Sequence, residues 1–321
     1  MMIGGKYKFL IISCCLILPI GSRAEVLSLD EALRTTYSAC IGIDSSLTDL
    51  RKMAGINTVV TGVGTGFGAG ATIVGIKKAN KDGELEEWER TLNELIAKQE
   101  QHNVKYDKIS IDDIPSAIAT AQSNNKNAEK KVDELTKQSK QLGNWRTGLM
   151  VGNTATNIAG AVIAKNNQVD NDLQGQIDTC KQAVKNLQNS IMQAKFNGED
   201  ISEATNILNA CRDFEYVDIS PINKRAKGAF VSSIIGATTG VAGTITSAVA
   251  NSEDIRKDEQ AKQGKKTDDD WQKEKTINTA ANVLAGTSTV ASGVATVFNA
   301  TQISAIKKVS AVAEKCTGVL K

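Results

Sequence analysis

Residues 53–76 read MAGINTVVTGVGTGFGAGATIVGI, a run with no charge and seven glycines. Two periodicities compete in it. Gly62, Gly64, Gly66, Gly68 and Gly70 alternate as in a strand, whereas Gly62, Gly66 and Gly70 recur every fourth residue, as on one helix face. Three more charge-free stretches, 147–164, 228–252 and 276–306, decide between them. None alternates, and each carries small residues at a spacing of four. The rows are Gly148, Gly152, Thr156 and Gly160; Ser232, Gly236, Gly240, Thr244 and Ala248; and Ala281, Ala285, Thr289 and Gly293. Such rows let helix backbones approach closely, so the spacing predicts four helices. Gly62, Gly66, Gly70, Gly148, Gly152, Gly160, Gly236, Gly240 and Gly293 are the expected helix-packing positions.

The flanks also read as helical. Ser28-Leu-Asp-Glu31 has the form of a capping box, and Asn197-Gly198-Glu199-Asp200 reads as a helix stop followed by a new start. Residues 77–146 carry their own helical patterns. Leu85, Trp88, Leu92 and Leu95 mark one face, and Ala128, Val132, Leu135 and Ser139 belong to a weak heptad. Asp112-Asp113-Ile114-Pro115 starts the second of these helices.

The chain also repeats itself. Asn153-Thr-Ala-Thr-Asn-Ile-Ala-Gly160 resembles the text from Asn278 to Gly286, and a cysteine stands at similar range outside each end of each pair of uncharged stretches. The expected fold is all-α: two duplicated antiparallel hairpins forming a long four-helix bundle with a helical insertion. Residues 1–24 form a signal peptide, 25–196 the first module with its insertion at 77–146, and 197–321 the second.

The leader is read from Lys6 and Lys8, the apolar run Phe9 to Ile20 and the small-x-small site Ser22-Arg23-Ala24. A second reading takes Ile11-Ile12-Ser13-Cys14 as a lipoprotein processing box with Cys14 lipidated. Cleavage after residue 24 removes Lys6, Lys8 and Arg23 from 38 basic residues, leaving 35 against 36 acidic ones. That balance argues against nucleic-acid binding.

Four cysteines remain, an even count that favours disulfides in an exported chain. Cys40, Cys180, Cys211 and Cys316 each fall on an apolar three-four spacing. Cys40 lies 16 residues before Ile56 and Cys180 15 after Lys165, while Cys211 lies 17 before Gly228 and Cys316 16 after Ala300. Antiparallel hairpins place each couple at one level, predicting Cys40 with Cys180 and Cys211 with Cys316; the crossed pairing stays open.

Enzyme chemistry finds little support. Gly66-Phe-Gly68-Ala-Gly-Ala71 imitates a dinucleotide loop without a following strand, and Asp170 to Gly175 begins like a calcium loop but puts Lys181 where a bidentate glutamate is needed. His102 is the sole histidine and has no nucleophile motif. No catalytic residue, metal site or cofactor is expected.

The uncharged stretches are 18 to 31 residues long, about 27 to 46 Å of helix, enough for a bilayer core. Yet the first sets eight Leu, Ile, Val or Phe residues against seven glycines and five Asn or Thr residues. Insertion is therefore expected to be cooperative. The expected function is non-enzymatic: an exported helical protein acting by membrane association or self-assembly, with pore formation or envelope perturbation as the narrower version. Membrane and homo-oligomer are the expected partners. The alternative is a soluble periplasmic or secreted scaffold.

Overall fold

Helix starts are set locally. Ser28 accepts from the Glu31 amide at 3.3 Å, Asp170 from the Leu173 amide at 2.8 Å, and Thr267 exchanges a full capping box with Asp270. The computed structural model describes residues 27–105 and 114–320; the leader and the Cys14 alternative lie outside them. Among the described residues all regular structure is helical: α1 (Leu29–Cys40), α2 (Ile43–Lys105), α3 (Ile114–Asn166), α4 (Asn171–Phe196), α5 (Ser202–Cys211), α6 (Ser220–Ala250), α7 (Glu253–Arg256), α8 (Asp258–Lys262) and α9 (Asp268–Thr317). A 3₁₀ turn, Arg212–Tyr216, follows α5.

α2, α3, α6 and α9 run alternately up and down, and each packs along two neighbours in the cyclic order α2, α3, α6, α9. Residues 77–146 are not separate helices. α2, 63 residues long in all, continues into them as far as Lys105, and α3, 53 residues long, starts within them at Ile114, so the insertion prolongs two rods of the bundle into a head.

Both disulfides fall within modules. Cys40 bonds Cys180 with Cα atoms 4.8 Å apart, and Cys211 bonds Cys316 at 4.3 Å. Around them Ile43, Leu47, Ile177, Phe214, Ile222 and Val309 form an ordinary apolar core. Gly198, at φ +78°, turns the chain from α4 toward α5. At the opposite end Leu85, Leu92, Ala128, Val132 and Leu135 form a second apolar core. Lys262 bridges to Asp133 at 2.8 Å and Lys140 to Glu253 at 3.3 Å, so the two insertions share this head, away from the cysteines.

The likeness between 153–160 and 278–286 is not a structural correspondence. Asn153 lies level with Ser288 and Asn157 with Ser292, both at a sequence offset of 135. Asn278 therefore sits about 15 Å nearer the head than Asn153.

Candidate functional site

Between the two apolar cores the polarity of the bundle inverts. Over the uncharged band, residues 53–76 of α2 and the levels of α3, α6 and α9 packed against them, large aliphatic side chains point outward. Val59 is 66% exposed, Ile73 56%, Ile245 59% and Val290 67%. The interior of the same band is made of Ala, Gly, Ser, Thr, Asn and Gln; Met150 is its one large apolar residue among those described. A water-soluble bundle has the opposite arrangement, as both ends of this molecule do.

The buried polar groups are tied together. Gln302 Nε2 donates to the Asn167 carbonyl at 2.8 Å, and Asn57 Nδ2 to Asn299 Oδ1 at 2.9 Å. Asn153 donates to Ser288 at 2.8 Å and Asn157 to Ser292 at 2.8 Å. Toward the head, Arg146 is fully buried and donates to Ser247 at 2.8 Å and to Asn278 and Asn282 at 3.0 Å each. Asp82 accepts from Lys78 at 2.6 Å and from Ser139 and Asn278, placing a carboxylate beside that cation. Threonines donate to the carbonyl four residues back, as Thr61, Thr72 and Thr289 do, while the buried Asn57 Oδ1 and Ser233 Oγ are left without a partner among the described residues.

Of the nine expected packing glycines, six meet a neighbouring helix. A Cβ on Gly236 would stand 2.6 Å from Asn157, on Gly240 2.5 Å from Thr154 and on Gly160 2.8 Å from Thr61; Gly152 faces Phe67, Gly70 faces Leu149, and Gly293 lies 3.9 Å from Thr65. Gly62, Gly66 and Gly148 each have open space where a Cβ would point, so within this chain they meet no neighbouring helix. The packing row of α2 is Gly64, Gly68 and Gly75, against Thr156, Thr289 and Asn282. Only glycine permits these approaches; at Gly68 the Thr289 backbone itself is 3.1 Å from the built Cβ.

The two borders of the band differ in charge. At the cysteine end stand Arg51 and Lys52 on α2, Lys165 on α3, Lys224, Arg225 and Lys227 on α6, and Lys307 and Lys308 on α9. The register set by Gly64 on Thr156, Gly68 on Thr289 and Gly236 on Asn157 gathers them into a layer about 9 Å deep in which Asp49 is the one acid on these four helices. At the head end, cations and acids are interleaved and paired: Lys78 with Asp82, Lys81 with Glu84, Lys140 with Glu253.

The head holds a buried cluster that the sequence reading missed. Lys266 contacts Glu89 at 2.7 Å and Glu274 at 3.1 Å, and Trp271 donates its indole N–H to Glu89 at 2.7 Å. Glu89 lies 13 residues beyond the band, about 20 Å along the helix. Burial pushes both glutamates above the usual carboxylate range, with Lys266 pulling them part of the way back. Burial also pulls Lys266 down, but its two carboxylates more than offset that and leave it raised. A clue in the sequence is the three-four spacing of Trp271, Glu274 and Asn278, which puts all three on one face of α9. Trp145 is 69% exposed at the edge of the band, whereas Trp271 is buried in the head.

Gly66 to Ala71 lies mid-helix in α2, which removes the dinucleotide reading, and Asp170 caps α4 rather than opening a calcium loop. Among the described residues no cluster of His, Cys, Asp or Glu is arranged to hold a metal. The helical run Leu29–Lys98 and the helices Ser220–Ala250 and Asp268–Thr317 are long and apolar enough to cross a membrane, with mean hydropathies of 1.5, 1.4 and 1.3 over their most apolar windows. No known protein family, curated protein or solved structure matches the chain.

Proposed function

We propose that this is an exported, non-enzymatic membrane protein whose uncharged band lies in the bilayer as a four-helix unit. One observation carries the reading: the inversion of polarity is confined to the band, while the ends beyond it are built like soluble protein. Exposed β-branched aliphatics are costly in water but at home among acyl chains, where the buried Asn, Ser and Thr ladders and close glycine contacts supply the cohesion that hydrophobicity cannot. The band is about 36 Å long, slightly more than a bilayer core. Both cysteine pairs point to an oxidising compartment, as expected of an exported chain. Open backbone at Gly62, Gly66 and Gly148 offers places where a second copy can approach within the membrane. Pore formation is the narrower version of the same reading.

A soluble scaffold is the second reading, and one observation favours it: α3 is absent from the helices apolar enough to cross a membrane. Flotation of the mature, disulfide-bonded chain with liposomes separates the two. Co-flotation that survives high salt and carbonate, with a blue-shifted Trp145 emission, is the expected result. A monodisperse chain that stays with the aqueous fraction overturns it. Dye release from the same liposomes tests the pore version.

A further inference from the structure

We propose that the cation collar at the cysteine end binds anionic lipid headgroups, and that these belong to the leaflet facing the oxidising compartment. This rests on the membrane reading above and adds to it the lipid class and the orientation.

Three observations carry it. The first is position: the collar begins where the outward aliphatics stop, with Lys52 next to Met53 and near Ile56, Lys165 three residues past Val162, and Lys227 four before Val231. Lysine and arginine stems in that place lie along apolar wall and carry their charges outward to headgroup level.

The second is unanswered charge. Within the collar Lys52 pairs with Asp49 at 3.1 Å, and Arg225 donates to the Thr301 carbonyl at 2.8 Å. The other six cations form no ion pair among the described residues. They lie within a layer about as deep as the Debye length at physiological salt, so they repel one another unless anions answer them. The head border has comparable numbers of cations but interleaves them with Asp82, Glu84, Glu253, Asp254 and Glu274. These acids pair Lys78, Lys81 and Lys140 and leave Lys77, Lys137, Lys273 and Lys275 near acids without an ion pair among the described residues, so the acid-poor layer is a local feature of the collar rather than a consequence of net charge. A soluble polyanion would have to lie against the exposed aliphatics below the collar; a lipid covers both with one molecule.

The third is placement. Both disulfides are at this same end. Where disulfides persist, the adjoining leaflet faces an oxidising space, and that fixes which leaflet supplies the headgroups.

The test is flotation of the mature, disulfide-bonded chain with vesicles of phosphatidylcholine alone and of phosphatidylcholine doped with phosphatidylglycerol. It is run for the parent and for two quadruple variants. One carries Lys224→Gln, Lys227→Gln, Lys307→Gln and Lys308→Gln in the collar. The other carries Lys77→Gln, Lys137→Gln, Lys273→Gln and Lys275→Gln at the head, with the same loss of charge. A cation near an anionic surface contributes roughly a five-fold gain in affinity. The parent is expected to prefer doped vesicles at least ten-fold at low salt, the collar variant to lose at least ten-fold of that, and the head variant to stay within about two-fold. Equal binding of the parent to both vesicles overturns the collar and leaves the membrane reading standing; binding to neither overturns both. Equal losses in the two variants also overturn it. Should the collar variant misfold, the salt dependence of the parent decides: preference for doped vesicles that does not weaken as salt rises overturns the proposal.

Discussion

Asn157 donates through Nδ2 to Ser292 Oγ at 2.8 Å across the bundle axis, joining α3 and α9, two helices that run the same way and face each other diagonally. Asn157 also donates to Asn153 Oδ1 at 2.9 Å, and Ser292 returns a bond to Asn157 Oδ1 at 3.0 Å. Each group is satisfied by the others, so their contributions are coupled. Asn157→Ala is expected to cost about 1–2 kcal/mol and Ser292→Ala about 1 kcal/mol. The double variant should fall short of their sum by at least ~0.5 kcal/mol. A double-mutant cycle by denaturant unfolding in detergent measures this; strict additivity would show the contact to be idle.

Neighbouring glycines of α2 should respond in opposite directions. Gly68→Ala puts a methyl group 2.5 Å from Thr289 Oγ1 and 3.1 Å from its Cα, and is expected to destabilise by about 1–3 kcal/mol. Gly66→Ala meets nothing within this chain and should stabilise by up to about 1 kcal/mol through helix propensity. Thermal unfolding of the two single variants is sufficient. If Gly66→Ala destabilises, the face it occupies is packed against something beyond this chain, a second copy first of all.

Val290, 67% exposed, lies near the middle of the band and distinguishes lipid from water as its surroundings. In lipid, Val290→Lys costs about 2.5–3.5 kcal/mol and sharply reduces liposome partitioning. In water the same change stays within about 0.5 kcal/mol, because the site is exposed and unpartnered. Comparing flotation with the urea midpoint separates the two, and a variant that floats like the parent counts against the membrane reading.

Lys266→Met should destabilise the head by about 3–5 kcal/mol at pH 7, since it strands Glu89 and Glu274 as buried carboxylates. The sign with pH follows from their raised values. A carboxyl whose folded pKa lies above its unfolded one binds protons preferentially when folded; it contributes stability below about pH 4.5 and loses it as pH rises through the folded value. The variant's deficit should therefore shrink between pH 7 and pH 5. Unfolding monitored by Trp271 fluorescence at several pH values reads it out, and a deficit independent of pH would show that the two carboxylates are not the source.

The helices, their up-down order and both cysteine pairs were legible in the residues, because charge-free lengths and three-four spacings are local properties and the cysteines could be counted along antiparallel rods. The facing of α2 was not legible. Its alternating glycines contain two rows at spacing four, Gly62 with Gly66 and Gly64 with Gly68, and composition cannot tell which one faces Thr156 and Thr289. The polar interior escaped for a related reason: Asn153, Asn157, Asn299 and Gln302 count as penalties in a hydropathy sum, and only their partners on other helices make them cohesive. The Lys266 cluster joins residues 177 and 8 apart, and a spacing rule within one helix finds only the α9 half of it. The textual repeat misled because Asn278 and Asn282 serve Arg146 near the head, not the central ladder.

Cys40–Cys180 closes on its own hairpin and Cys211–Cys316 on the other, so no covalent bridge crosses from one couple of rods to the next. Apart from the short connection at Gly198, the couples adhere only through side-by-side packing. What holds one couple against the other is therefore noncovalent, and reducing agents would loosen each hairpin at its open end without touching the seam between them.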